Sequence, residues 1–169
     1  MVTEAQKLHA SFPSAGFLRR LAAWVYDLLV AAAVIMLASA IALAVAGALA
    51  TMSFITLTED FDHAAWLTQG PWFGIYLLLV LACFFGYFWR SSGQTIGMRA
   101  WRLKLQNRDG SKLTLKQTLL RLLTCLAGLG SLWMLLDFKN RRALQDYVAG
   151  TELVVLSKEA NQLFYWQDL

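Results

Sequence analysis

Two long apolar runs dominate the pattern of hydrophobic and polar positions along the chain. The first covers residues 21–50 and contains a single charged residue, Asp27. The second covers residues 71–89 and ends immediately before Arg90. A helix needs roughly 20 predominantly apolar residues to cross a bilayer, and both runs reach about that length. The pattern therefore predicts two transmembrane helices.

A third apolar stretch, residues 117–136, is less regular than the other two. Arg121, Gly128 and Gly130 interrupt it, and three more cations follow it closely. A single crossing would carry those cations to the far side of the membrane, against the positive-inside rule. The pattern favours a broken, re-entrant or interfacial helix, and a full span is the alternative.

The polar segments between the apolar runs indicate an orientation. Residues 51–70 contain acids but no lysine or arginine, whereas residues 90–116 contain seven basic residues and one acid, Asp109. By the positive-inside rule the basic loop is cytoplasmic, and so is the N-terminus. The first two helices should therefore form a transmembrane hairpin.

The basic loop also carries a pattern of its own. Apolar and polar residues alternate over residues 101–106 and again over 112–115, on either side of a turn-forming Asp109-Gly110 pair. This predicts a small cytoplasmic β-hairpin. Thr114 and Gln117 form a capping box that should open the third helix, and we expect little fixed structure in residues 1–15.

Composition agrees with an integral membrane protein. Hydrophobic residues make up 58% of the 169 residues and charged residues 15%, against roughly a quarter charged in soluble domains. We find no repeat or linker, so residues 1–169 should form one domain. The net charge of +4 resides mainly in the basic loop, which points to anionic lipid headgroups as its partner and not to nucleic acid.

Residues that could carry catalysis or bind a metal are sparse. Cys83 and Cys125 lie in apolar segments without a CxxC pattern, and His9 and His63 stand alone. The chain contains neither a nucleophile-elbow motif nor a phosphate-binding glycine loop. We therefore expect no enzyme activity, no metal and no cofactor.

Three polar stretches stand out against the apolar background. Arg20 and Asp27 are seven residues apart on nearly one face of the first helix, so the aspartate leans toward the arginine across ~10.5 Å of rise. The second stretch is Gly93–Arg99, which follows the second helix, and the third is Asn140–Thr151.

In sequence and order these stretches resemble the RDD family of bacterial membrane proteins, over residues 16–155. The family is named for one arginine and two aspartates, and the resemblance matches them to Arg20, Asp27 and Asp146. It implies a multi-pass protein of the bacterial inner membrane. The activity of the family is unsettled, with transport of unidentified ligands or cation/proton exchange proposed.

Two hypotheses follow for the charged residues. In one, Asp27 is a cation or proton site of a small-ion or solute transporter. In the other, the aspartates are structural counter-ions of arginines in a non-catalytic scaffold that assembles with a second copy or another membrane protein. Because residues 28–50 alone fill the hydrocarbon core, Asp27 should lie at the cytoplasmic boundary. The candidate site residues are Arg20, Asp27, Gln94, Arg99, Arg121, Arg142 and Asp146.

Overall fold

The protein is described by a computed structural model, which covers residues 11–52, 62–125, 133 and 143–167, with side chains up to residue 162. Its elements are α1 (Phe17–Thr51), α2 (His63–Thr68), α3 (Trp72–Ser91), α4 (Ile96–Ala100), β1 (Leu103–Asn107), α5 (Leu115–Thr124), α6 (Leu144–Ala149), β2 (Thr151–Val155) and α7 (Lys158–Gln167). The chain divides into two compact units, and α1 and α3 each contribute residues to both. Unit 1 comprises residues 1–28 and 85–169, and unit 2 comprises Leu29–Phe84.

The two apolar runs form the two long helices. At ~1.5 Å per residue, the 35 residues of α1 extend about 52 Å and the 20 residues of α3 about 30 Å. Both are long and apolar enough to cross a membrane. Large apolar side chains on α1 point outward, such as Leu29 with 69% and Met36 with 72% of their surface exposed. Such surfaces are typical of a helix solvated by lipid.

Small residues line the inner face of α1 within unit 2. Ala31, Ala38 and Ala46 are buried, and the Tyr76 hydroxyl of α3 donates a hydrogen bond to the Ala38 carbonyl at 3.2 Å. Small side chains let a neighbouring segment approach the helix backbone closely.

The short helix α2 begins at a side-chain cap. Asp62 accepts a hydrogen bond from the Ala65 amide at 2.8 Å.

Unit 1 is built on a short antiparallel sheet. β1 pairs with β2 in a register that places Leu103 opposite Val155 and Asn107 opposite Thr151. Residues 13–15 add to the other edge of β2, where Ala15 donates to the Leu153 carbonyl at 2.8 Å. The expectation of little fixed structure before residue 16 is therefore wrong for these residues.

The predicted hairpin within the basic loop is also wrong. The turn is present, with the Gly110 amide donating to the Asn107 carbonyl at 2.9 Å, but residues 112–114 form no strand. The Leu105 amide on that edge of β1 instead donates to the Gly93 carbonyl at 2.7 Å. Since Thr114 already caps a helix, the returning segment leaves the sheet, and β2 pairs with the opposite edge of β1.

Both faces of the sheet are covered. Leu103, Leu105 and Leu153 are buried against Ala23 of α1 and Met98 of α4. On the opposite face, Val154 contributes to a second cluster that includes Leu156 and Ala160. Burial of both faces distinguishes this sheet from the half-exposed hairpin that strict alternation suggests.

The third apolar stretch begins as predicted. Thr114 accepts a hydrogen bond from the Gln117 amide at 3.3 Å, and the Gln117 side chain accepts one from the Thr114 amide at 3.0 Å, so the capping box is confirmed. The helix that it opens ends at Thr124. The prediction of a broken or re-entrant helix up to residue 136 lies mostly outside the described residues.

Candidate functional site

A buried carboxylate with two arginines lies at the centre of unit 1. One Asp146 oxygen accepts a hydrogen bond from Arg20 Nη1 at 2.5 Å, and the other accepts one from Arg121 Nη1 at 2.6 Å. All three residues are at least 94% buried. We call this cluster the Arg-Asp-Arg triad. It joins α1, α5 and α6 through one side chain.

Further hydrogen bonds hold each member of the triad in place. Asp146 is the third residue of α6, and its Oδ2 also accepts from the Ala143 amide at 3.2 Å, so the carboxylate completes the N-terminal turn of its helix. Arg20 Nε donates to the Ala15 carbonyl at 3.1 Å. Arg121 Nη1 also donates to the Thr151 hydroxyl at 2.6 Å, at the start of β2.

An aromatic ring covers the Arg121 guanidinium. Its central carbon lies 5.6 Å from the centroid of the Trp89 ring of α3, within the range of a cation–π contact. The buried Arg121 Nε finds no hydrogen-bond partner among the described residues. The tryptophan face thus stabilises a guanidinium that is only partly hydrogen-bonded.

The electrostatics of the triad favour the ionised aspartate. Burial raises the pKa of the Asp146 carboxyl, but the charges of Arg121 and Arg20 and their hydrogen bonds outweigh burial and hold the pKa below its ordinary value. A carboxyl whose pKa is lower in the folded than in the unfolded state stabilises the fold above its unfolded pKa. This stabilisation is lost only as the pH falls through the folded pKa.

Asp27 is bound separately, by the segment that follows α3. Its Oδ2 accepts a hydrogen bond from the Thr95 hydroxyl at 2.5 Å, and its Oδ1 accepts one from the Gly97 amide at 2.9 Å. Thr95 also caps α4 by accepting from the Met98 amide at 3.2 Å. Asp27 therefore joins α1 to the first turn of α4.

This contact leaves no room for a side chain at position 97. A Cβ atom at Gly97 would overlap the Ala23 carbonyl oxygen and would lie 2.8 Å from Asp27 Oδ1. The glycine in Gly93–Arg99 is required there by close approach, since its φ is not in the left-handed region. Gly93, by contrast, has a φ of +69° and would crowd the Leu105 carbonyl if it carried a Cβ.

The groups around Asp27 define what this residue can do. A hydroxyl and an amide both donate to its carboxylate, and it forms no ion pair within the described part of the chain. Cation sites in proteins surround the ion with several oxygen acceptors. The arrangement around Asp27 is instead that of a capped, hydrogen-bonded carboxylate.

The remaining candidates occupy different positions. Gln94 is buried, and its amide donates to the Leu103 carbonyl at 2.7 Å and to Asn161 Oδ1 at 3.0 Å, so it joins the turn before α4 to β1 and α7. Arg99 is half-buried in α4, and its carbonyl accepts from Asn161 at 3.4 Å. Arg142 lies outside the described residues.

The structure thus changes the pairing that the sequence indicated. Arg20 and Asp27 share a helix face, yet Arg20 binds Asp146 and Asp27 binds Thr95 and Gly97. Thr95 belongs to the Gly93–Arg99 stretch but is not among the site residues that the sequence predicts. For Trp89 the sequence offers no signal, because a tryptophan near the end of a membrane helix is usually an interfacial anchor.

No group of three or more potential metal ligands occurs in the described ranges.

Comparison with known proteins agrees with the motifs. Searches of curated proteins and of solved structures found no match. The family model described as RDD family matches residues 14–150, which include Arg20, Asp27 and Asp146. The chain therefore belongs to the RDD family, as a membrane-associated member with two helices long enough to span a bilayer.

Proposed function

We propose that this RDD-family chain is a non-catalytic membrane scaffold, in which the arginines and aspartates are structural and unit 1 is the part that assembles with another membrane protein. One observation carries the proposal: both family aspartates have their carboxylate oxygens occupied by protein donors. A transport site needs a carboxylate that can exchange its partner for a cation or proton. Here such an exchange would break contacts between α1 and the rest of unit 1.

The proposal includes an orientation in the bacterial inner membrane. The N-terminus and the basic residues of unit 1 lie on the cytoplasmic side, as the positive-inside rule requires. With this topology, the triad and Asp27 join the cytoplasmic end of α1 to a compact domain at the membrane surface.

The function is tested by flux measurements on the full chain reconstituted in liposomes containing a pH-sensitive dye. Because Asp27 is capped by donors, we expect pulses of Na⁺, K⁺ or Li⁺ to move no more protons than in protein-free liposomes. Asp27→Asn should behave identically, and an added ionophore is the positive control. Cation-dependent proton flux that Asp27→Asn abolishes would contradict the scaffold hypothesis. It would support cation/proton exchange, which the sequence also allows.

A scaffold must also have a partner. We expect gentle detergent extraction of the tagged full chain to retain a second membrane protein, or a second copy, in a fixed ratio. The retained species should be unchanged by Asp27→Asn if that variant remains folded. A chain that elutes alone and monomeric after every mild extraction would count against assembly.

We further propose that α5 contacts anionic lipid. Its polar face is turned inward, with Thr118 and Arg121 buried. Leu115, Leu119 and Leu123, spaced four residues apart on one face, are 51–75% exposed. A helix whose apolar face is exposed suits a position in the membrane interface, and the exposed Lys116 on the same helix would meet lipid phosphates.

An environment-sensitive fluorophore tests the position of α5. In a background without the two native cysteines, a label on Leu119→Cys should emit at shorter wavelength in phosphatidylglycerol vesicles than a label on Asp109→Cys, because only the former would enter the apolar boundary. Asp109 is the matched control, since it is exposed on the preceding turn. Equal emission from both labels would place the leucine face in water or against protein.

A further inference from the structure

Unit 2 contains a cavity that the proposed function does not use. It has a volume of about 790 Å³ and lies among the C-terminal half of α1, the short helix α2 and the first turns of α3. Sites for small molecules usually measure about 300–1,000 Å³. We call this cavity the aromatic groove.

The walls of the aromatic groove are apolar. Aromatic rings of Trp66, Trp72, Phe73 and Tyr76 face aliphatic side chains of α1 such as Val45. None of the described lining residues carries a charge. A charged or strongly hydrated ligand would lose its water without compensation here, so the lining selects an apolar ligand.

The polar groups of the groove are few and lie toward its ends. Tyr76 donates its hydroxyl hydrogen to the Ala38 carbonyl, about one turn of α1 before the first lining residue, Ile41. Gln69 and Gly70 belong to the turn that precedes α3. From Ile41 to Leu49 the lining follows α1 for about 12 Å at ~1.5 Å per residue. Because the Tyr76 hydroxyl is already bonded to Ala38, the layout matches a ligand with a long apolar body and one polar end near Gln69.

The surroundings identify the source of such a ligand. Both long walls belong to helices that are long and apolar enough to cross a membrane. Lining residues remain open to the outside, with Ile41 52%, Val45 53% and Trp72 77% exposed. In a bilayer these surfaces meet lipid tails, and tryptophan and tyrosine mark the headgroup boundary. In a bilayer the groove would therefore open to the lipid phase.

We infer that the aromatic groove binds one acyl chain of a phospholipid, with its headgroup at the Gln69 end. The small side chains of Ala42 and Ala46 leave the space that the chain fills. The inference does not depend on the scaffold function, because the groove lies entirely in unit 2 and the charged contacts lie in unit 1. It assigns unit 2 a lipid-binding role.

Two equal substitutions on α1 test the inference. Ala42 lines the groove and is partly buried, whereas Ala44 is exposed and lies outside the lining. We expect native mass spectrometry of the full chain in detergent, titrated with palmitoyl-oleoyl phosphatidylglycerol, to show one retained lipid for the wild type and for Ala44→Phe. Ala42→Phe should need about tenfold more lipid for half occupancy, equivalent to ~1.4 kcal/mol, because its ring occupies the groove.

Three results would overturn the inference: equal lipid retention by Ala42→Phe and the wild type, no retained lipid in the wild type, or a wild-type dimer that Ala42→Phe converts to a monomer. The last would make a second copy the occupant.

A second measurement does not depend on Ala42→Phe and therefore tests the inference even if that variant misfolds. A phospholipid brominated on its acyl chain should quench tryptophan fluorescence saturably at one lipid per chain, and Trp66→Phe with Trp72→Phe should remove that component. Unsaturable quenching would also contradict a defined site.

Discussion

Replacing Asp146 by asparagine is expected to lower the free energy of unfolding by about 3–5 kcal/mol, the usual effect of removing one partner from a buried ion pair. The variant keeps the shape of the side chain but removes the charge that compensates Arg20 and Arg121. For a chain of this size, such a loss corresponds to a fall of roughly 6–20 °C in melting temperature. Thermal unfolding of the detergent-solubilised full chain, followed by tryptophan fluorescence, measures it.

The matched control is Asp62→Asn. Asp62 is an exposed helix cap, and asparagine caps helices about as well as aspartate. The two variants should therefore melt far apart, and equal melting temperatures would contradict a stabilising triad.

The pH dependence of Asp146→Asn gives a second readout. The pKa of Asp146 is lower in the folded protein than in the unfolded chain, where it is about 3.9. Its stabilising effect is therefore complete above that pH and is lost as the pH falls through the folded pKa. The difference between wild type and variant should be constant from neutral pH down to about pH 5 and should shrink only in stronger acid.

Replacing Gly97 by alanine is expected to lower the free energy of unfolding by about 1–3 kcal/mol, as overpacking commonly does. The added methyl group would overlap the Ala23 carbonyl oxygen and crowd Asp27. Since Ala23 is backbone at that point, the clash is relieved only if α4 moves away from α1. That movement lengthens the hydrogen bond between Asp27 and the Gly97 amide. The same unfolding measurement checks this prediction.

Gly74→Ala controls for the general effect of alanine in a helix. A Cβ atom at Gly74, in the first turn of α3, meets nothing within 4 Å, and alanine is a better helix former than glycine. This variant should be neutral or slightly more stable.

Asp27→Asn combined with Gly97→Ala should lower the free energy of unfolding by less than the sum of the single changes, because both act on one contact. Strict additivity would show that Gly97 is required for some other reason.

The triad stabilises the fold mainly by disfavouring other arrangements of its segments. A buried ion pair is often no better than a well-packed apolar core of the same volume, but breaking it leaves an uncompensated charge. Asp146 joins residues that are 126 and 25 positions away in the chain. The main effect of Asp146 is therefore to select one arrangement of the segments. Any packing that separates it from Arg20 or Arg121 leaves a buried charge without its partner.

Several features could be predicted because their causes are local. Most of α1 and α3 lies in apolar runs whose single charged residue is Asp27, and the capping box at Thr114 depends on a residue three positions away. Each depends on neighbours within one or two turns, which a single sequence displays directly.

Other features depend on pairings across the chain. β1 has a plausible partner eight residues away, yet it pairs with β2, because Gly93 occupies its other edge and Thr114 begins a helix. Arg121 looked like an interruption of an apolar stretch, whereas the structure turns it inward and exposes the leucines beside it. Periodicity defines which residues share a face of α5, but not whether that face meets protein or lipid.

The sequence by itself determined the two helices long and apolar enough to span a membrane, the family and the identities of the charged residues, because hydrophobic length and motif order are properties of the chain alone. Only the tertiary structure decided how Arg20, Asp27 and Asp146 are paired. Hydrogen bonds between segments require atoms to meet within about 3 Å, and the folded packing of α1, α4, α5 and α6 determines which atoms do so. Asp27, two turns from Arg20 on nearly one helix face, therefore binds the Thr95 hydroxyl and the Gly97 amide instead.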